Sequence, residues 1–169
     1  MGSVLMPEDN VIMRLTAYTD YALRTLMYLA THRDRLVTIS EIADVHGISK
    51  NHLMKVVHQL GVSGMVETVR GRNGGLRLNH EPAEINIGEV VRNTETDFHM
   101  AECFDPSGNT CLYSPACALK DVLQSATAAY LDKLDKVTLA SLIRNRSPDK
   151  KMRATIRVHP RTGKAPTAT

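Results

Sequence analysis

The sequence predicts a mainly α-helical fold with one small β-hairpin. Three observations predict it. Apolar residues recur at three- and four-residue steps through several segments, two helical patterns flank a short turn at residues 46–48, and a β-branched stretch then leads into a glycine-rich turn. Since 43% of the 169 residues are hydrophobic, the chain can bury a packed core, and a wholly disordered chain is not expected.

The first predicted helix covers residues 21–30 and follows a loose extension at residues 1–12. Its apolar residues lie on one face of a helix: Ala22, Leu23, Leu26, Leu29 and Ala30. Thr19 and Asp20 stand directly before this pattern. Taken by itself, Asp20 is therefore predicted to cap the helix.

The second predicted helix, residues 38–45, has a capping residue at Thr38 or Ser40. Gly47 follows, where a positive φ angle would close a tight turn.

The third predicted helix begins after Ser49 as its cap, covers residues 50–60 and ends at Gly61. Met54, Val57 and Leu60 are predicted to face the core. A short helix, a glycine turn and a Ser-capped helix are typical of a helix-turn-helix.

A β-hairpin is predicted next, with strands at residues 65–69 and 76–78 around the turn 70–75. A hairpin directly after a helix-turn-helix is a wing. With a short helix at residues 87–91, the winged helix-turn-helix domain is assigned to residues 13–93.

The rest of the chain divides into three predicted segments. Residues 94–117 form a polar, irregular loop that contains all three cysteines. A long helix occupies the segment 118–146, and the basic tail 147–169 is expected to be disordered. The helix runs from Ala118 to about Arg144 with one apolar stripe: Leu119, Val122, Leu123, Ala126, Tyr130, Leu134 and Val137.

The charge distribution indicates a local nucleic-acid surface. The net charge is +3, but residues 144–169 carry eight Lys/Arg and one Asp, so residues 1–143 are slightly acidic. Between residues 50 and 77, however, there are five Lys/Arg and a single acid, Glu67. Because this excess lies on the second helix of the helix-turn-helix and on the wing, we expect DNA binding. A basic solvated face used for protein contacts is the alternative.

The candidate DNA-contacting residues share polar side chains able to bond base edges or phosphates. A tip arginine also suits a narrow minor groove. The candidates are Ser49, Lys50, Asn51, His52, Lys55, Arg70, Arg72 and Asn73.

The cysteines Cys103, Cys111 and Cys117 are separated by seven and five residues. Thiolates suit iron–sulfur clusters and zinc, although structural zinc usually has closer cysteine pairs and four protein ligands. Three thiolates leave one metal position for a labile ligand, which favours sensing. Zinc with His99, a thiol redox switch and incidental cysteines remain alternatives.

Other classes of protein are not expected. No apolar run approaches the roughly 20 residues that span a bilayer, and the N-terminus lacks the pattern of a secretory signal. A cytoplasmic location is therefore expected. An enzyme is not, because no paired-carboxylate pocket, nucleophile elbow or phosphate-binding glycine loop is recognisable.

Residues 13–144 resemble the iron–sulfur winged-helix transcriptional regulators. The segments that carry the resemblance are MRLTAYTDYALR, TISEIADVHGISKNHLMKVVHQL, VETVRGRNGGLRL and the three-cysteine loop. Within that family the segments INIGEVV, SPACALK and KVTLASLI are most similar to the nitric-oxide-sensitive repressors.

The resemblance implies a homodimer that packs its long helices together and holds an iron–sulfur cluster on the three cysteines. It also implies that Asp20 of the opposite subunit is the remaining ligand, and that Arg24 lies close by and pairs with Asp20 or Glu102. The cluster would be [4Fe–4S], with [2Fe–2S] also compatible. Another branch has a histidine where this chain has Lys120, which speaks against that branch.

The resemblance further implies a repressor that binds palindromic operator DNA and leaves it when nitric oxide attacks the cluster. An iron-responsive regulator of the same fold is the alternative, because the cysteine spacing fits both branches. A zinc-bound interaction module that does not bind DNA is a third.

Overall fold

A computed structural model describes residues 14–105, 107–113 and 117–144. The predicted extension 1–12 and tail 147–169 lie outside the described residues. The described elements, in chain order, are α1 (Ala17–Thr31), α2 (Ile39–His46), α3 (Lys50–Val62), β1 (Val66–Val69), β2 (Gly75–Leu78), α4 (Ile87–Thr94), a 3-10 helix (Glu102–Phe104), α5 (Ala118–Asp135) and α6 (Leu139–Arg144).

The predicted fold class is confirmed. The two strands form an antiparallel hairpin in which Val66 lies opposite Leu78 and Val69 opposite Gly75. The segment before α2 joins this hairpin, since the backbones of Val37 and Leu76 exchange hydrogen bonds of 3.0 and 2.8 Å. A Cβ on Gly75 would lie 2.9 Å from the Val37 carbonyl oxygen, so this close approach favours glycine.

Helix α1 begins earlier than the sequence predicted, and Asp20 does not cap it. The cap is Thr16, whose hydroxyl accepts a 3.2 Å hydrogen bond from the Thr19 amide. The Asp20 amide donates to the Thr16 carbonyl at 3.0 Å, so Asp20 is already inside the first turn. Thr16, four residues upstream, accepts the hydrogen bond of a free amide at the helix start, so the capping position is Thr16 and not Asp20.

The helix-turn-helix follows the predicted capping chemistry. Thr38 caps α2 by accepting from the Glu41 amide, Gly47 adopts a left-handed φ of 65°, and Ser49 accepts from the His52 amide. The predicted end of α3 at Gly61 is wrong, since the helix continues to Val62. The turn is made instead at Gly64, which has a φ of 75°.

The core lies under the helix-turn-helix and the hairpin. Its most deeply buried side chains include Leu26, Ile42, Leu53, Val56, Leu60, Leu76 and Val90. The predicted inward position of Met54 is wrong: its side chain is 50% exposed, while Leu53 and Val56 are buried in its place. Val57 and Leu60 are buried as predicted.

The predicted single helix from Ala118 to about Arg144 is also wrong, because it is divided into α5 and α6. At the break the backbone bonds to the segment before α4. The Ile87 amide donates to Val137 at 2.9 Å, and the Leu139 amide donates to Ile85 at 2.9 Å. These pairings replace the helical ones and turn α6 back towards α1, where Leu139 is fully buried.

Helices α4 and α5 meet at a tight junction. Both Arg92 guanidinium nitrogens donate to the Asp135 carboxylate, at 2.5 and 2.6 Å, and the Asn86 side-chain amide donates to the Asp135 carbonyl at 2.6 Å. Gly88 faces this residue, and a Cβ there would lie 3.0 Å from the Asp135 backbone nitrogen. Among the described residues no helix is long and apolar enough to cross a membrane.

Candidate DNA-binding surface and cysteine loop

The exposed face of α3 carries most of the predicted DNA-contacting residues. Ser49, Lys50, Asn51, His52 and Lys55 are all exposed, as predicted for residues that contact a ligand. No Asp or Glu occurs between residues 50 and 62, so the positive charge of this face is not offset within the helix. A helix that is buried on one side and basic on the other suits the negatively charged major groove.

The first turns of α1 contact α3 directly. The rings of Tyr21 and His52 stack with their centroids 6.3 Å apart and their planes 27° apart. The Tyr18 hydroxyl donates a 3.4 Å hydrogen bond to the Lys55 carbonyl. His52 is therefore held in part by α1, a contact that the sequence did not indicate.

The wing presents its basic tip to solvent. Arg70, Arg72 and Asn73 are exposed on the turn between the strands. The turn is narrow, since Gly71 has a φ of 117° and a Cβ on Gly74 would lie only 2.2 Å from the Val69 carbonyl oxygen.

The single acid of this region is neutralised within the hairpin. The Arg77 guanidinium pairs with the Glu67 carboxylate at 2.8 Å and lowers the pKa of that carboxyl. No carboxylate in the described part of the chain forms an ion pair with Arg70 or Arg72. The tip cations are therefore available to a polyanion.

The three cysteines are unpaired, partly exposed thiols. Cys103 lies in the 3-10 helix, the Cys111 amide donates to the Asn109 side chain at 3.1 Å, and Cys117 occupies the position directly before α5. The predicted place of Cys117 at a helix start is confirmed.

Two contacts bring parts of this loop together. Glu102 accepts hydrogen bonds from the amide and the hydroxyl of Thr110, at 2.5 and 2.6 Å, which lowers the pKa of its carboxyl and ties the residues beside Cys103 and Cys111. The Lys120 ammonium lies 5.9 Å from the centroid of the Phe104 ring, next to Cys103.

The thiols are not gathered into a finished site. Within residues 14–105, 107–113 and 117–144, no three His, Cys, Asp or Glu side chains come together as metal ligands. The donor set fits an iron–sulfur cluster by its chemistry, since three free thiols share one loop. In the described residues of one chain, these thiols are not yet gathered around a common point.

Asp20 is held by Arg24 within its own helix. The guanidinium contacts both carboxylate oxygens, at 2.9 and 2.8 Å, and both side chains are exposed to roughly the same extent. The predicted pairing of Arg24 with Asp20 is confirmed, while Glu102 pairs with Thr110 instead. No described contact joins Asp20 to the cysteines of its own chain.

The comparison with known families decides the assignment. The sequence profile of the Rrf2 family, described as an iron-dependent transcriptional regulator, matches residues 15–145. The chain belongs to the Rrf2 family. It is 55% identical over 141 residues to the HTH-type transcriptional regulator NsrR of Bacillus licheniformis, covering 83% of this chain and 99% of that protein. It is 56% identical over 135 residues to NsrR of Bacillus subtilis, covering 79% and 92%.

Solved structures agree on the fold. IscR of T. potens superposes with a TM-score of 0.63 at 25% identity, over 78% of this chain and 87% of the other. CymR, the global cysteine regulator of B. subtilis, superposes with a TM-score of 0.65 at 24% identity, over 80% of this chain and 99% of the other, and shows the fold alone. This Rrf2-family protein is therefore a DNA-binding transcriptional regulator with a winged-helix fold.

Sequence reasoning missed three features of this Rrf2 regulator. The exposure of Met54 was missed because Met54 lies at the edge of the buried stripe of α3, where the apolar pattern alone does not decide which way a side chain faces. The Glu102–Thr110 contact spans a loop without a periodic pattern. The contacts of Tyr18 and Tyr21 with α3 join elements more than 30 residues apart, and only the acid-free run of α3 pointed to the face they support.

Proposed function

We propose that this Rrf2-family regulator is a repressor that binds palindromic operator DNA as a homodimer and leaves it in response to nitric oxide. The observation that carries the proposal is the exposed, acid-free face of α3 in direct contact with the helix that bears Asp20. High identity to proteins named NsrR over most of their length supports the choice of signal.

Helix α5 supports the homodimer. Among its described residues none is buried, and the apolar Leu119 and Val122 are 62% and 63% exposed. Only the last part of the predicted apolar stripe, at Leu134 and Val137, packs on the core. Burial of the first part against the same helix of a second subunit would give a homodimer, and the two α3 helices of such a dimer would read half-sites about one DNA turn apart, roughly 34 Å.

An iron–sulfur cluster would be held by Cys103, Cys111 and Cys117, with the partner subunit's Asp20 as the remaining ligand. When bound, it supplies an iron atom with a labile carboxylate ligand, which is the chemistry that nitric oxide attacks. The resemblance favours [4Fe–4S], and [2Fe–2S] is compatible with the same residues. For this ligation Asp20 would exchange its contact with Arg24, an exposed pair that is worth little in stability.

The chain's own contacts provide a route from Asp20 to the DNA surface. Asp20 lies in the first turns of α1, between Tyr18 and Tyr21, which contact Lys55 and His52 of α3. Ligation of the cluster by Asp20 would therefore shift the start of α1 and, through these two tyrosines, the DNA-binding face. Formation or loss of this ligation would favour one of two orientations of α3 over the other.

The test uses holo-protein prepared without oxygen and an operator selected from random duplexes. Fluorescence anisotropy follows the protein–DNA complex while nitric oxide is added. Release of DNA in parallel with the loss of cluster absorbance is the expected result. DNA binding that persists after the cluster has reacted fully would overturn the proposed response.

The iron-responsive alternative is favoured by one observation, the description of the family as iron-dependent. It predicts that the protein releases DNA more readily when an iron chelator is added than when nitric oxide is added. Parallel titrations with chelator and nitric oxide on one preparation separate the two signals. A colourless preparation with stoichiometric zinc would instead support the zinc-bound interaction module.

A further inference from the structure

The exposed side chain of Met54 lies in the middle of the basic face of α3. Met54 is 50% exposed, whereas Leu53 just before it and Val56 two residues after it are buried. An apolar side chain in contact with water is energetically unfavourable, and burial against a binding partner removes that contact.

Met54 lines one open surface depression of about 500 Å³, and the other residues that line it are all polar and exposed: Asn51, His52, Lys55 and His58. Asn51, Met54, Lys55 and His58 are spaced by three, one and three residues, which places them on one stripe of the helix. The ammonium group of Lys55 attracts a polyanion, while the single apolar side chain, Met54, would be covered by an apolar group.

Duplex DNA provides that combination in the major groove. Phosphates lie along both walls, and the only apolar group on a base edge in that groove is the C5 methyl of thymine. The depression has room for a methyl group beside the donors of Asn51 and Lys55. Residues 50–62 contain lysines and no acid, so a partner that covers Met54 should also carry negative charge. DNA carries that charge on its phosphates.

We infer that Met54 is a specificity-determining residue that contacts the C5 methyl of a thymine in each operator half-site. The inference rests on the proposed DNA binding and deepens it by naming a base. Asn51 and Lys55, on either side of Met54, would bond the edges of adjacent bases or the phosphates next to them.

The experiment removes the methyl group alone. In an operator selected from random duplexes, each thymine is replaced in turn by deoxyuridine, and the affinity of the anaerobic holo-protein is measured. We expect one symmetry-related pair of thymines at which each replacement weakens binding about fourfold, the effect of one buried methyl group.

The Met54→Ala variant loses the contact in both half-sites, so it should bind the thymine operator roughly 15-fold more weakly, and it should no longer distinguish deoxyuridine from thymine at either position. Met54→Leu should restore the discrimination. Val62→Ala is the matched control, because Val62 is an exposed apolar residue two turns further along α3 and should keep the full discrimination. All variants should show unchanged thermal unfolding.

A deoxyuridine penalty that is equal in the wild type and in Met54→Ala, or its absence at every thymine, would overturn the inference while DNA binding itself stands. Failure of the wild type to select any sequence would instead overturn the proposed function.

Discussion

The winged helix and the cysteine half of the chain differ in how much of their structure a single chain completes. Every fully buried hydrophobic residue in the described structure, apart from Leu139, lies between residues 22 and 91. From residue 95 to residue 138 the described residues contribute none, and α5 has no buried residue. The first region supplies nearly all of the core, which Leu139 of α6 completes, while the second region leaves its thiols partly exposed and several apolar side chains exposed.

The difference separates a region that determines the fold from a region suited to regulation. The fold of the winged helix is set by side chains that are buried within one chain, so this fold should survive changes in the cysteine loop even where such changes lower the affinity for operator DNA. The cysteine half has partly exposed thiols and an apolar helix face that the described residues of one chain leave uncovered, and the proposed homodimer and cluster would use both. A regulator can then switch by changing the second region without unfolding the first.

The largest expected effect follows from replacing Cys117 with Ser. The loss of one of three thiolates should abolish cluster absorbance and reduce operator affinity by about 1,000-fold, to the level of non-specific binding. The melting temperature of the apo-protein should stay within a few degrees of the wild type, because Cys117 lies outside the core. Anaerobic absorbance, anisotropy and thermal unfolding measure the three quantities.

Leu112→Ser is the matched control for that variant. Leu112 is 93% exposed and adjoins Cys111 in the same loop. It should retain the cluster and the affinity for operator DNA. Should Cys117→Ser keep an intact cluster, the proposed ligand set would be wrong.

The next effect belongs to the winged helix and separates two neighbouring residues. Leu53→Ala should destabilise the protein by about 2–5 kcal/mol, since Leu53 is fully buried between α1 and α3. Met54→Ala, one position further, should change the free energy of unfolding by less than about 0.5 kcal/mol because its side chain is exposed. Urea unfolding of the apo-protein compares them, and equal losses would contradict the assignment of α3's buried face.

How far the sequence predicts the structure follows the same division. Caps at Thr38 and Ser49 and the turn at Gly47 were predicted correctly, because each depends on residues within four positions. The break between α5 and α6 was not, because it depends on hydrogen bonds from residues 137–139 to residues 85–87. The predicted inward orientation of Met54 was wrong for a related reason, because the elements that pack on a helix determine which of its faces is buried.

The candidate site divides likewise. Residues of the basic face could be found from local charge, since an acid-free run is visible in the sequence alone. The cysteines could be found as a spacing, but the role of Asp20 came from resemblance and stays a prediction. Within one chain Asp20 bonds to Arg24, and a contact between subunits leaves no local pattern to recognise.

The smallest expected effect tests the junction between the two regions. Gly88→Ala would place a Cβ 2.0 Å from an Asp135 carboxylate oxygen and 3.0 Å from the Asp135 amide nitrogen. The carboxylate cannot move aside freely, because Arg92 holds both of its oxygens. The substitution should therefore cost about 1–3 kcal/mol by forcing α5 away from α4.

Arg92→Gln is the control for Gly88→Ala, because it removes the exposed ion pair without adding a Cβ, and it should cost less than about 1 kcal/mol. Hydrogen exchange then shows where the strain appears. In Gly88→Ala the amides of Ile87, Val137 and Leu139 should lose protection while those of α3 keep it, since α5 contributes no buried residue to the core of the winged helix. A loss of protection that spreads into α3 would mean that the two regions unfold as one unit, and the switch would then have to act on the whole fold.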